Sequence, residues 1–134
     1  MIEMTLFVAK LVVGLTSLIY FALSIWCSLQ PEVTSHKVGF ELRGGSGQSE
    51  FLTVYGGLEF GLALILAATL WQNETVIYGL WVSTLIHGSL VIFRTIAFFR
   101  FSNFESFTYR LAVGEWIILA ITIILLVMIP RQTS

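Results

Sequence analysis

Four long apolar runs occupy most of this chain, at about 4–29, 51–71, 76–98 and 110–129. Each reaches or approaches the ~20 residues that an α-helix needs to cross a hydrocarbon core about 30 Å thick. Backbone N–H and C=O groups in lipid have no water to bond, so a spanning segment must satisfy them internally, which selects helices. The expectation is an all-α fold, an integral membrane four-helix bundle, with residues 1–134 forming a single transmembrane domain. Composition agrees: 57% of residues are apolar and 11% charged, where an ordinary soluble domain has about 25% charged. Mean hydropathy is +0.90. A soluble domain of this length could not hide so much apolar surface, so membrane lipids must cover much of it.

The same composition narrows the chemistry. Net charge is −1, and no aspartate is present, which argues against nucleic acid as a partner. Cys27 is the single cysteine, so an intrachain disulfide and a Cys-x-x-Cys redox centre are excluded. Of the two histidines only His87 lies in an apolar run, so bis-histidine haem ligation within the membrane is not expected, nor is any other cofactor. The first run is longer than the 7–15 apolar residues of a signal peptide, and no Ala-x-Ala-like site follows it, so it is read as a retained span.

Pro31 stops the first helix, and Pro130 with Arg131 stops the last. Gln72–Thr75 reads as a tight turn that makes the second and third helices an antiparallel hairpin, and Ser102–Thr108 as a longer aromatic-rich connection. The long polar loop 30–50 is glycine-rich around Gly44–Gly45–Ser46–Gly47, and Val38, Phe40 and Leu42 alternate within it; it could lie on the membrane surface or form a short lid. Loops 30–50 and 99–109 share a side and carry Lys37, Arg43, Arg100 and Arg110, against Arg131 and a snorkelling Lys10 opposite. The positive-inside rule then puts those loops in the cytoplasm and both termini outside.

Three of the runs carry an ionisable residue inside them: Glu59, Arg94 and Glu115. A charge at a helix centre costs about 2.5–3.5 kcal/mol on insertion scales, so such residues normally turn inward and pair or line a polar cavity. Counted from the run ends, Glu59 is about eight residues or ~12 Å deep, Arg94 about four and Glu115 about five from the same side. The expectation is one buried cluster in which Arg94 reaches both carboxylates. Two carboxylates against one guanidinium leave a surplus acid, which a cationic or hydrogen-bonding ligand could satisfy. The same cluster could equally serve only to fix helix register.

Other residues cluster around these three. Thr84, His87, Val91 and Arg94 recur at spacings of 3, 4 and 3 and share a helix face, extending the polar line inward. His87 could carry a proton or bind a ligand, or simply bond a neighbouring carbonyl. Metal binding would need ligands at matching depth, and none is expected. Tyr55 stands four residues before Glu59 and could donate to it; Tyr20 could add a hydroxyl. Gly57 and Gly61 form a Gly-x-x-x-Gly pair of the type that marks close helix contact, and Lys10, Gly14, Ser17, Phe21, Ser24 and Ser28 form a small and polar seam on the first helix.

The stretch Ser49-Glu50-Phe51-Leu52-Thr53-Val54-Tyr55-Gly56-Gly57-Leu58-Glu59-Phe60-Gly61-Leu62 resembles the signature of a bacterial family of four-span membrane proteins called domain of unknown function 4345. Tyr55, Gly56, Gly57, Arg94 and Glu115 match its Tyr-Gly-Gly opening, late arginine and early glutamate. The chain also looks loosely like the broader DoxX-like group, although the lone Cys27 gives no support to the thiol oxidation proposed there. What the resemblance implies is a four-helix fold and a bacterial inner-membrane location; it brings no activity with it.

Three functions fit these residues. One is a carrier that holds a lipid-like, isoprenoid, quinone-like or other small amphipathic ligand at Glu59, Arg94, Glu115, His87 and Tyr55, between apolar walls. Phe93, Phe98, Phe99, Phe101, Phe104 and Phe107 could line its entrance or form an interfacial belt. The second is an accessory subunit or assembly factor that contacts a membrane-protein partner, or a homo-oligomer, through the seam on the first helix. The third, an acid–base enzyme on a lipid substrate, is the least favoured: no nucleophile–base pair, metal-ligand set or phosphate loop is present, and no catalytic residue is assigned.

Overall fold

The computed structural model describes residues 2–129. Within it the chain forms five helices and no strand: α1 (Ile2–Leu29), α2 (Pro31–Lys37), α3 (Gly44–Ala68), α4 (Val76–Arg100) and α5 (Ser106–Met128). The all-α expectation holds, and α1, α3, α4 and α5 are each long and apolar enough to cross a membrane. The chain is a multi-pass membrane protein on that ground. Pro130 and Arg131, invoked above as a helix stop and a topology charge, lie outside the described residues.

The helix ends differ from the apolar runs because a helix is not obliged to stop where hydropathy falls. α3 begins at Gly44, well before the run at 51, so the polar Gly44–Phe51 segment is helical and not loop. The 30–50 region is therefore ordered. Pro31, with its φ preset and no N–H to lose, opens α2. The Ser35 carbonyl accepts from the Phe40 N–H at 2.9 Å, and Gly39 turns the chain at φ 80°, a value that favours glycine. Residues 38–43 are not a strand: Phe40 turns its ring edge toward Tyr55 of α3.

α1 is the axis of the bundle. It packs along the Leu52–Ala68 part of α3 on one side and against α4 on the other, while α5 packs chiefly on α4. Contacts between α3 and α4 are sparse and include the hairpin end, where a Cβ on Gly79 would collide with Thr69. The apolar core fills the half of the bundle near that hairpin: Ala9, Val13, Ala63, Leu66, Val76, Leu80 and Leu125 are all buried there, and Tyr20 caps it. Exposed Trp71, Tyr78 and Trp81 ring the same end, as interfacial aromatics do. At the opposite end Phe98, Phe104 and Tyr109 interlock, with Phe98 stacked on Tyr109 at 5.5 Å, and this closes the α4–α5 connection.

Candidate functional site

Beyond Tyr20 the interior becomes polar. The register of α1 against α3 is set by two hydroxyls that donate to backbone carbonyls, Ser17 to Ala63 at 2.8 Å and Ser24 to Gly56 at 2.7 Å. These anchors put Glu59 opposite Tyr20 and Phe21. Tyr20 in turn faces the His87 ring at 5.9 Å and is within electrostatic reach of Glu59, so Tyr20 stands between Glu59 and His87. Arg94 stands seven residues further along α4, about 10 Å nearer the loop end at 1.5 Å per residue.

That offset separates the expected three-residue cluster into two sites. Arg94 donates from Nε and Nη2 to the two carboxylate oxygens of Glu115, at 2.6 and 2.5 Å, a bidentate pair. It makes no ion pair with Glu59, and Arg94–Glu115 is the only salt bridge among the described residues. Glu59 stays by itself, half-buried, and its Oε2 is shut off from solvent without a hydrogen-bond partner. The Thr84 hydroxyl, one turn from His87 toward the hairpin, is in the same condition. Depth measured from run ends missed this offset because α3 begins at Gly44 and not at 51, which puts Glu59 15 residues from its start and not eight.

Tyr55 does not donate to Glu59. Its ring stacks on Phe51 at 4.6 Å and meets Phe40 edge-on, leaving its hydroxyl within electrostatic reach of both Glu59 and Arg94 and without a hydrogen-bond partner among the described residues. His87 is buried, and its Nδ1 lies 2.8 Å from the Ser83 carbonyl. A carbonyl only accepts, so Nδ1 carries the proton and donates. His87 thus bonds a neighbouring carbonyl, the plainer of the two roles open to it, and a neutral ring keeps Nε2 as an acceptor.

Leu52–Leu58, the Tyr-Gly-Gly stretch, is a π-helical turn inside α3. Wider π turns interrupt the α-helical bonding pattern and recur at functional sites. Here the turn presents the Gly56 carbonyl to Ser24. A Cβ on Gly56 would stand 2.6 Å from the Ser28 hydroxyl, so only glycine lets α3 approach α1 here. Gly57 and Gly61, expected to make that approach, have nothing within 4 Å of a built Cβ. The close contact runs through Gly56. Ser17 and Ser24 of the small and polar seam of α1 are spent on this internal interface.

No protein-family model, curated protein or solved structure matches this chain.

The geometry therefore speaks for itself. Among the described residues no three His, Cys, Asp or Glu side chains gather as a metal site. Sequence reasoning overlooked Ser83, whose carbonyl orients His87, and Phe51, which fixes Tyr55; the i, i+4 spacing of each pair was the available signal. Of the six phenylalanines considered as an entrance, Phe98 and Phe104 are locked together, Phe107 meets Trp26 edge-on at 6.4 Å, and Phe93, Phe99 and Phe101 are exposed. A shallow groove of about 230 Å³ between α1 and α3, lined by Gly14, Ser17, Phe21 and Ala63, is apolar and open to the outside.

Proposed function

We propose that this protein binds a small amphipathic, lipid-like molecule in the polar half of its bundle, between α3 and α4. The observation that carries this reading is the buried Glu59 oxygen with no partner, while the Arg94 of the same interior pairs with Glu115 instead. A buried polar atom left unbonded costs about 1–3 kcal/mol, and native folds rarely retain one without a use. Sparse α3–α4 contact above the hairpin gives a molecule in the bilayer a lateral route to Tyr20, Glu59 and His87, with Tyr55, Arg94 and Glu115 above them. Native mass spectrometry on protein released gently from its own membrane tests the reading. Retention of a small molecule that is lost in Glu59→Gln supports it; a wild-type protein that carries none in any membrane extract overturns it.

A second reading has one observation in its favour. Gly57 and Gly61 turn outward from the bundle, leaving a Gly-x-x-x-Gly face free for a helix of another membrane protein or of a second copy. The same mass spectra decide this, since a stoichiometric protein partner without a small molecule favours an accessory subunit.

We propose a bacterial inner-membrane location, as the family resemblance implies. Lys37, Arg43, Arg100 and Arg110 all fall at the loop end of the bundle, which supports a cytoplasmic position for loops 30–50 and 99–109. Proteolysis of oriented vesicles at that end is the check.

A further inference from the structure

The charge arrangement inside the bundle says which head group fits. We infer that the ligand is a cationic amphiphile whose ammonium group is taken by Glu59; this rests on the small-molecule reading above and specifies its chemistry. Arg94 and Glu115 neutralise each other through two charge-assisted hydrogen bonds, so the pair presents no net charge. Glu59 has no cation beside it: among the described residues no lysine, arginine or histidine forms a salt bridge with it. An anionic head group would meet Glu59 and Glu115, and would have to break the bidentate pair to gain a cation. A cation meets the opposite conditions, because it brings the Glu59 carboxyl the opposite charge that this low-dielectric interior otherwise lacks.

The surroundings of Glu59 suit an ammonium in two further respects. An ammonium is a donor-only group, and the Glu59 carboxylate offers it a buried acceptor oxygen, Oε2, that no other group among the described residues bonds. Tyr20 and the Tyr55–Phe51 stack add aromatic faces, to which cations are drawn and anions are not. Glu59 lies midway along α3's apolar stretch, at a depth that a bilayer phospholipid head group does not occupy, so the ligand is a compact molecule that enters the bundle.

The test compares three probes of one chain length, dodecylamine, dodecanol and dodecanoate, on the whole protein in a neutral maltoside detergent, with bound stoichiometry and Kd read by native mass spectrometry. One dodecylamine per protein is expected, bound at least about ten-fold more tightly than dodecanol, as one charge-assisted bond implies. Glu59→Gln should erase that preference and Glu59→Asp, which keeps the charge, should retain part of it; unchanged melting temperatures certify that both variants are folded. Single-site binding of dodecanol or dodecanoate in preference to the amine overturns the cationic assignment and leaves the small-molecule function standing. Amine binding that survives Glu59→Gln also overturns it. Failure of all three probes to bind overturns the cationic assignment, while the small-molecule reading stands or falls on the membrane-extract spectra.

Discussion

Arg94 of α4 and Glu115 of α5 are joined through two parallel hydrogen bonds of 2.6 and 2.5 Å, with both side chains largely withdrawn from the surface. This pair ties together the two helices that pack most extensively on each other after α1 and α3, and does so where the interior has few apolar contacts. It also withholds Arg94 from Glu59, so one link between helices creates the unpaired acid on the third.

Breaking the pair from one side should cost far more than removing it. Arg94→Leu strands the Glu115 carboxylate and is expected to destabilise by about 3 kcal/mol, the lower end for buried pairs because Arg94 keeps some exposure. The double variant Arg94→Leu/Glu115→Leu should recover most of that loss. Thermal or denaturant unfolding in detergent closes the double-mutant cycle, and additive losses would mean that the two side chains are not coupled.

Glu59 should behave in the opposite way. Glu59→Leu removes a buried oxygen without a partner, and stability is expected to rise by about 1 kcal/mol or stay level. Ligand retention should disappear in the same protein. A variant that loses several degrees in melting temperature would point to a structural bond for Glu59 and against a site kept for a ligand.

The glycines make a discriminating series. Gly56→Ala sets a methyl 2.6 Å from the Ser28 hydroxyl, and Gly79→Ala sets one 2.9 Å from Val13 and against Thr69. Each should destabilise by about 1–3 kcal/mol through overpacking. Gly57→Ala and Gly61→Ala meet open space and should be neutral or gain up to about 1 kcal/mol in helix propensity. Melting temperatures of the four variants provide the comparison, and a reversed order would displace α3 from its present face.

Ser24→Ala leaves the Gly56 carbonyl without its cross-helix donor, and should cost about 0.6–1.7 kcal/mol, the span measured for hydrogen bonds between membrane helices. Hydrogen exchange at the π-helical turn should rise in step, because that carbonyl is held from α1.

How much of this was legible beforehand follows from range. Whether a segment spans a membrane depends on its own length and apolarity, so the four helices, their antiparallel order and the all-α class could be read from residues 4–129 alone. The inward faces were also legible: Thr84, His87, Val91 and Arg94 point into the bundle because a spacing of 3 and 4 closes a helical turn. The polar seam of α1 was recognisable for the same local reason. What a single helix cannot contain is its vertical position against its neighbours. That register is set here by Ser17 on Ala63, by Ser24 on Gly56 and by Tyr20 against His87, contacts between residues tens of positions apart. A shift of two turns decides whether Arg94 meets one carboxylate or two, and a π-helical turn decides which of three neighbouring glycines touches α1. The pairing of Arg94 with Glu115, and the isolation of Glu59, belong to the tertiary structure because they exist only once the helices have slid into place.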